Sequence, residues 1–384
     1  MFRLKKTLEV SRLSSKLSLV KALGTQSSIQ STSRVSFSPI PAAELKQTHL
    51  NPLAGRKCLA GSWSQTFPKY LANPREDFPH ALQLEYNDKA NFKELGNLSR
   101  EKLDANLPRA GAVLFRRTGI QSSQDFKEFI QGIGYETLKY EGGVGNRSEV
   151  DSQIFSSTDD PPEHNIELHN EMSGTPYYAK KVIFCCLQPP KPNCGGLTPI
   201  SKNSEIFKSL DPDVVDIIKK RKIRYLRYLP DSKDNPYMSW QQSFVTEDKK
   251  VAEEFLQNAG INFEWIDSTC LCLWHVLDPI APHVVTGQPV WFNQMESHHN
   301  SCLKESPMYQ GLDLPTHMYA FHTQFGDGQE INSEILDHVR SVNWSKAVGF
   351  DWQEGDVIVM DNMAVMHSRL SFSGPRKIVV SLHN

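Results

Sequence analysis

The chain carries the run Leu168-His169-Asn170-Glu171-Met172. Residues two apart on an extended strand face the same side, so a strand here points His169 and Glu171 together and Asn170 away. An imidazole and a carboxylate side by side are two metal ligands. A third from a distant strand completes a two-histidine, one-carboxylate set with open coordination positions, which suits non-haem Fe(II). Zinc accepts the same donors. His367 is the candidate third ligand: it ends the apolar run Ala364-Val365-Met366, follows the turn-forming pair Asp361-Asn362, and precedes Ser368-Arg369. A lone His-x-Glu arises often by chance, so the weight comes from its combination with other features.

Two further stretches supply that combination. Cys194-Gly195-Gly196-Leu197-Thr198-Pro199-Ile200 reads as a loop entering a strand, where the Thr198 hydroxyl can donate to a carboxylate oxygen. Gly374-Pro375-Arg376-Lys377 opens the last strand, shortly after His367. A guanidinium grips a carboxylate through two parallel hydrogen bonds, which an ammonium does not reproduce, so Arg376 is preferred to Lys377 as an anion holder. Taken singly, Thr198 is a turn residue and Arg376 a solvated charge at a strand end.

The order His-x-Glu, Gly-Gly-x-Thr-Pro, then the run from Asp361 through His367 to Arg376, resembles the taurine dioxygenase and clavaminate synthase group (TauD/TfdA type) of Fe(II)/2-oxoglutarate-dependent oxygenases. The resemblance spans roughly residues 105–384, with support from Trp240-Gln241-Gln242-Ser243-Phe244, Val290-Trp291-Phe292-Asn293 and Phe325-Gly326-Asp327-Gly328. It implies a double-stranded β-helix, or jelly roll. It also implies that His169, Glu171 and His367 ligate Fe(II), and that Thr198 and Arg376 bind the distal carboxylate of 2-oxoglutarate. The activity it implies is O2-dependent oxidation of a C–H bond in a small molecule, with release of succinate and CO2. Most members carry Asp where this chain has Glu171, and the clavaminate synthase branch carries Glu. A carboxylate in that position occupies the place a halide would need, so hydroxylation or a related oxidation is expected, not halogenation. Two other readings of the same residues stay open: a non-catalytic jelly-roll protein that binds a ligand, and a zinc enzyme.

Substrate-lining candidates are residues 141–150, 172–178 and 293–299. Within them Arg147 reads as a solvated loop arginine. His298 and His299 are adjacent and face opposite sides of a strand, which argues against a metal pair. His164 reads as a loop residue.

Strands distant in the sequence must meet to assemble these groups. Residues 110–116, 181–187, 290–293, 357–360, 364–367 and 377–382 read as strands, and 125–130, 203–222 and 247–259 as helices. The Asp211-Pro212 pair starts a second helix within 203–222, because the missing N–H of proline costs nothing in a first turn. The expected architecture is mainly β with helical insertions around a jelly-roll core. Residues 1–40 form a tail, 41–104 a wrapping segment, and 105–384 the oxygenase domain with a helical insertion at about 203–345.

Composition sets the outer bounds. The 384-residue chain has a formal charge of −2, which gives no overall pull toward nucleic acid or anionic membrane. No apolar run approaches the ~20 residues needed to span a bilayer. The cysteine count of 7 is odd, so a disulfide framework is not expected, and Cys270-x-Cys272 reads as two thiols on one face of a strand. The first forty residues differ: Arg3, Lys5, Lys6, Arg12, Lys16, Lys21 and Arg34 stand against the single acid Glu9, among many serines. Val10, Leu13, Leu17 and Val20 share one helical face, the pattern of a mitochondrial transit peptide; the alternative is a basic tail on a cytoplasmic protein.

Overall fold

The structure, a computed structural model, describes residues 35–48, 53, 65–86, 91–138, 147–233, 239–266, 268–304, 309, 311–312, 314 and 319–384. The chain divides at Arg34/Val35, and the architecture is that of Val35–Asn384. The expected transit-peptide segment through residue 34 lies outside the described residues.

In chain order the elements are β1 (Val35–Pro39), β2 (His80–Tyr86), α1 (Phe92–Ala110), β3 (Ala112–Arg116), α2 (Ser123–Ile133), β4 (Glu149–Asp151), β5 (Ile154–Ser156), β6 (Ile166–His169), β7 (Lys181–Gln188) and β8 (Ile200–Lys202). Then come α3 (Asn203–Ser209), α4 (Pro212–Arg221), β9 (Ile223–Leu229), α5 (Trp240–Phe244), α6 (Lys249–Asn258), β10 (Asn262–Ile266), β11 (Cys270–Leu277), β12 (Ile280–Pro282) and β13 (Pro289–Trp291). The chain closes with β14 (Phe321–Phe325), α7 (Ser333–Ser345), β15 (Val357–Asp361), β16 (Val365–Arg369) and β17 (Lys377–His383).

The principal sheet has eight strands in the order β1-β2-β3-β15-β7-β17-β5-β4, and a second sheet has the order β6-β16-β8. Strand alternation assigns the faces of the large sheet. Val182, Phe184 and Cys186 of β7, with Ile358 and Met360 of β15 and Val380 of β17, join Ile200 and Val365 of the small sheet in one buried cluster. The intervening Ile183, Cys185 and Leu187 turn the other way and pack with Val357 and Val359 against Leu103 of α1 and Phe129 of α2. Both faces of the central strands are thus buried, which is why they read as unbroken apolar runs. The two sheets packed face to face form the jelly roll, and its inner face is where the candidate ligands gather.

The helices that cover the outer face have identifiable ends. Ser122 and Asp125 form a reciprocal capping box at the start of α2, and Gly134 ends it in the left-handed region. α1 starts at Asn91, whose side chain accepts from the Lys93 and Glu94 amides, and ends at Gly111, also left-handed. The two helices meet at glycines: a Cβ on Gly132 would stand 2.0 Å from the Lys93 carbonyl oxygen, and one on Gly96 2.1 Å from that of Phe129.

Three expectations about organisation change. Val35–Pro39, expected in the tail, pairs with β2 as a strand of the large sheet. The expected wrapping segment contributes β2, parallel to β3, and most of α1. The expected helical insertion carries its own four-stranded sheet, β10-β11-β9-β14, beside its helices. Its β11 falls on the run read as a strand at Cys270–Cys272, whereas β9, Ile-Arg-Tyr-Leu-Arg-Tyr-Leu, was hidden because it interleaves arginine with apolar residues; the arginine stems pack, with Arg227 donating to Ser243 Oγ and Arg224 over the Trp274 ring. Cys270 and Cys272 are free thiols on β11, Cys272 buried and Cys270 partly so.

Candidate active site

β6 and β16 lie antiparallel with His169 directly opposite His367. Cross-strand partners on one face stand close enough to touch, and the two rings are 4.4 Å apart between centroids. His169 donates from Nδ1 to the Glu167 carbonyl at 2.8 Å, which fixes the tautomer and leaves Nε2 free to ligate a metal. The Phe184 ring packs against His367 at 5.0 Å. Glu171 Oε2 lies 3.9 Å from His169 Nε2 and 3.6 Å from His367 Nε2.

Glu171 reaches this place by a different route from strand alternation. β6 ends at His169, and residues 170–173 are turn, with Met172 at φ 58°. The Asn362 side chain holds the turn. Its Oδ1 accepts from the Glu171 amide at 2.8 Å, and its Nδ2 donates to the carbonyls of Glu171 at 2.8 Å and Ala179 at 2.6 Å. Asn170, which the spacing turned away from the site, donates to the carbonyls of Asn362 and Val365. Asn203 donates in turn to Asn170, Trp291 and Met363. From the sequence, Asn362 was legible only as part of a turn; a buried Asn pair flanking a ligand was the signal available.

Thr198 and Arg376 also come together. Arg376 donates from Nε to the Gly196 carbonyl at 3.0 Å and from a terminal nitrogen to Thr198 Oγ1 at 3.1 Å. Trp352, which sequence reasoning did not single out, donates to the same hydroxyl at 3.0 Å. The double glycine makes this possible. Gly195 and Gly196 both have positive φ, and a Cβ on Gly196 would stand 3.0 Å from Arg376 Cδ. Lys377 is exposed at the start of β17 and lies away from the cavity that Arg376 lines. Burial, then the neighbouring Arg369, brings Arg376 down to about 10, so it remains charged at neutral pH.

These five side chains line one cavity of roughly 210 Å³. Met172, Thr175, Gln294, Ser297 and His298, drawn from the expected lining segments, share it, as does His164. Of the segment 141–150, residues 141–146 lie outside the described residues. Arg147 departs most from expectation: its side chain is 6% exposed, and its guanidinium pairs with Glu171 Oε2 at 2.6 Å. Burial alone would raise the Glu171 carboxyl, but Arg147 and the hydrogen bond from His367 outweigh it and hold the group ionised. Burial, reinforced by His367, lowers His169 to about 4, so it is a neutral imidazole at physiological pH.

The donor set fits a divalent metal. Two imidazoles and one ionised carboxylate place their ligand atoms within 4.8 Å of one another, and a guanidinium already takes a cation's place beside the carboxylate. A jelly roll with two imidazoles, one carboxylate and a buried arginine–threonine pair at one cavity fits a mononuclear metal enzyme that binds a carboxylate ligand.

Comparison with known proteins narrows the class. Residues 75–382 match the family described as taurine catabolism dioxygenase TauD, TfdA family, and the chain belongs to it. The dapdiamide synthesis protein DdaC of Enterobacter agglomerans is 31% identical over 286 residues, covering 74% of this chain and 85% of that protein. A clavaminate synthase-like protein of Arabidopsis thaliana is 29% identical over 327 residues, covering 83% and 94%. Among solved structures, PvcB of Pseudomonas aeruginosa, an Fe, alpha-ketoglutarate dependent oxygenase from an isonitrile synthetic pathway, aligns over 94% of this chain and 95% of its own at 13% identity and a TM-score of 0.48. The protein is a dioxygenase that uses Fe(II) and 2-oxoglutarate.

Proposed function

We propose that His169, Glu171 and His367 hold Fe(II), that Thr198 and Arg376 hold the distal carboxylate of 2-oxoglutarate, and that the enzyme hydroxylates a small molecule in the shared cavity. The observation that carries this reading is the meeting of the cross-strand histidine pair with Glu171, in one cavity with the Arg376–Thr198 pair. Bound there, Fe(II) would let O2, the oxidant, oxidise a substrate C–H bond and 2-oxoglutarate together, the latter leaving as succinate and CO2.

The chain's own groups do the positioning. The Glu167 carbonyl keeps the His169 proton on Nδ1. Asn362 fixes the Glu171 backbone, so the carboxylate has little freedom to leave the histidines. Gly196 and Thr198 orient the Arg376 guanidinium, which stays charged and can grip a carboxylate without reorganising. Phe184 and Ile378 give the cavity an apolar wall beside the ligands, which limits water. A non-catalytic binder gives Arg376 and Thr198 no reason to stand beside a metal set, and a zinc hydrolase has no use for a second carboxylate holder.

Anaerobic titration with Fe(II) and then 2-oxoglutarate tests the assignment through the visible charge-transfer band of the chelate. The band is expected in the parent, absent in His367→Ala, and shifted to much higher 2-oxoglutarate in Arg376→Ala. Iron binding without a band in the parent overturns the assignment. A mitochondrial address is part of the same proposal, supported by the basic, serine-rich first forty residues. A mature protein that retains residue 1 in cells refutes it.

A further inference from the structure

A second group of metal-binding side chains lies outside the site above. His299, His322 and Glu330 each place a ligand atom within 4.8 Å of the others. The local sequence builds the group in two pieces. β14 carries His322, and the turn Gly326-Asp327-Gly328 reverses the chain so that Glu330 bridges back to Gln324. Glu330 Oε2 then stands 2.9 Å from His322 Nε2, while Gln324 donates to Oε1 at 2.7 Å and fixes the carboxylate. His299 caps the short helix Asn300–Cys302, and its ring lies 4.7 Å from that of His322.

The chemistry of the three groups suits a borderline cation. Burial, then the neighbouring His322, lowers His299 to about 3. Burial also lowers His322, against the pull of Glu330. Neutral imidazoles are ligands where imidazolium ions are not. Two nitrogens and one oxygen select zinc over calcium or magnesium, which demand oxygen sets. His299 Nδ1 stands 2.9 Å from Ser301 Oγ, which can accept its proton when Nε2 binds metal, and the Ser301 amide that donates to Nδ1 at 3.3 Å must then yield. For His322 the Asn300 amide, 3.4 Å from Nδ1, is the contact that must yield. Glu330 is 58% exposed in its side chain, so solvent ions reach the group directly.

We propose that His299, His322 and Glu330 form a zinc site, completed by water, that ties the segment around His299 to β14. That segment contributes Ser297, His298, Cys302 and Leu303 to the wall of the active cavity. Zinc there pins the wall from behind and sets the shape presented to the substrate, independently of the metal at His169, Glu171 and His367.

The test uses the full chain with His169→Ala and His367→Ala, so that the other site no longer competes. The protein is stripped with a chelator and titrated with Zn2+ against a chromogenic chelator, and with Co2+ by visible absorption. One equivalent of zinc and a tetrahedral Co2+ spectrum are expected. Adding Glu330→Gln, at a half-exposed position that spares the fold, should weaken zinc by at least about tenfold, and His299→Gln should do the same. No stoichiometric zinc in the two-alanine background overturns the proposal, as does zinc affinity unchanged by both substitutions together. The Fe(II)–2-oxoglutarate charge-transfer band of the parent reports separately on the other site.

Discussion

Asn362→Ala is the substitution whose consequence the structure defines most sharply. The side chain makes three hydrogen bonds to buried backbone, two of them to Glu171. Alanine removes the partner and leaves one amide and two carbonyls unsatisfied in a place water does not reach. Each such group costs about 1–3 kcal/mol, so the loss is about 3 kcal/mol or more. That is a large share of an ordinary domain stability of about 5–15 kcal/mol, yet leaves a folded protein to study. The same change frees the Glu171 turn, so Fe(II) affinity should fall by more than about tenfold, as it does when an outer-shell partner of a ligand is lost. Urea unfolding of the metal-free chain gives the first quantity, and anaerobic Fe(II) titration the second. Glu171→Gln is the control for iron: it should abolish binding through the lost charge while Asn362 still holds the Glu171 backbone. A variant that loses less than about 1 kcal/mol and binds iron like the parent refutes the view that Asn362 positions the carboxylate.

Three other outcomes are expected from the geometry. Gly196→Ala places a Cβ 3.0 Å from Arg376 Cδ at a backbone φ of 81°; it should raise the 2-oxoglutarate Kd with Fe(II) affinity unchanged, as read from the chelate band. Arg147 competes with any cation for Glu171, so Arg147→Gln should strengthen Fe(II) binding; weaker binding would show that the arginine supports the site. His169 is held near pKa 4 by burial, below the unfolded value. Its neutral form therefore stabilises the fold above pH ~6.5, and that stability is lost as pH falls toward 4, at about 1.4 kcal/mol per pH unit for each such histidine. His298 and His299 at about 3 and His383 at about 4 act in the same direction. Stability that stays flat from pH 6.5 to 4 would refute those environments.

The proposed ligands and cosubstrate holder could be picked out because their types are tied to chemistry: His-x-Glu, a distant strand-end histidine, and an arginine opening the last strand. The central strands were legible because burial on both faces leaves an apolar run with no other explanation. Strand β9 of the insertion's sheet was not, since alternating arginine and apolar residues read equally as a solvated face. Spacing within one segment placed Glu171 beside His169 for the wrong reason, as the strand ends two residues before it.

The sequence by itself determined which atoms are available and which segments must be buried. Only the tertiary structure decided which of them meet. The register of β6 on β16 opposes His169 and His367 across nearly two hundred residues of chain. Asn362 reaches back to Glu171, and Arg147, a loop arginine by its neighbours, becomes a buried partner of the Glu171 carboxylate. Local sequence encodes propensity and period, whereas contact between distant residues depends on how whole faces pack, which no single segment contains.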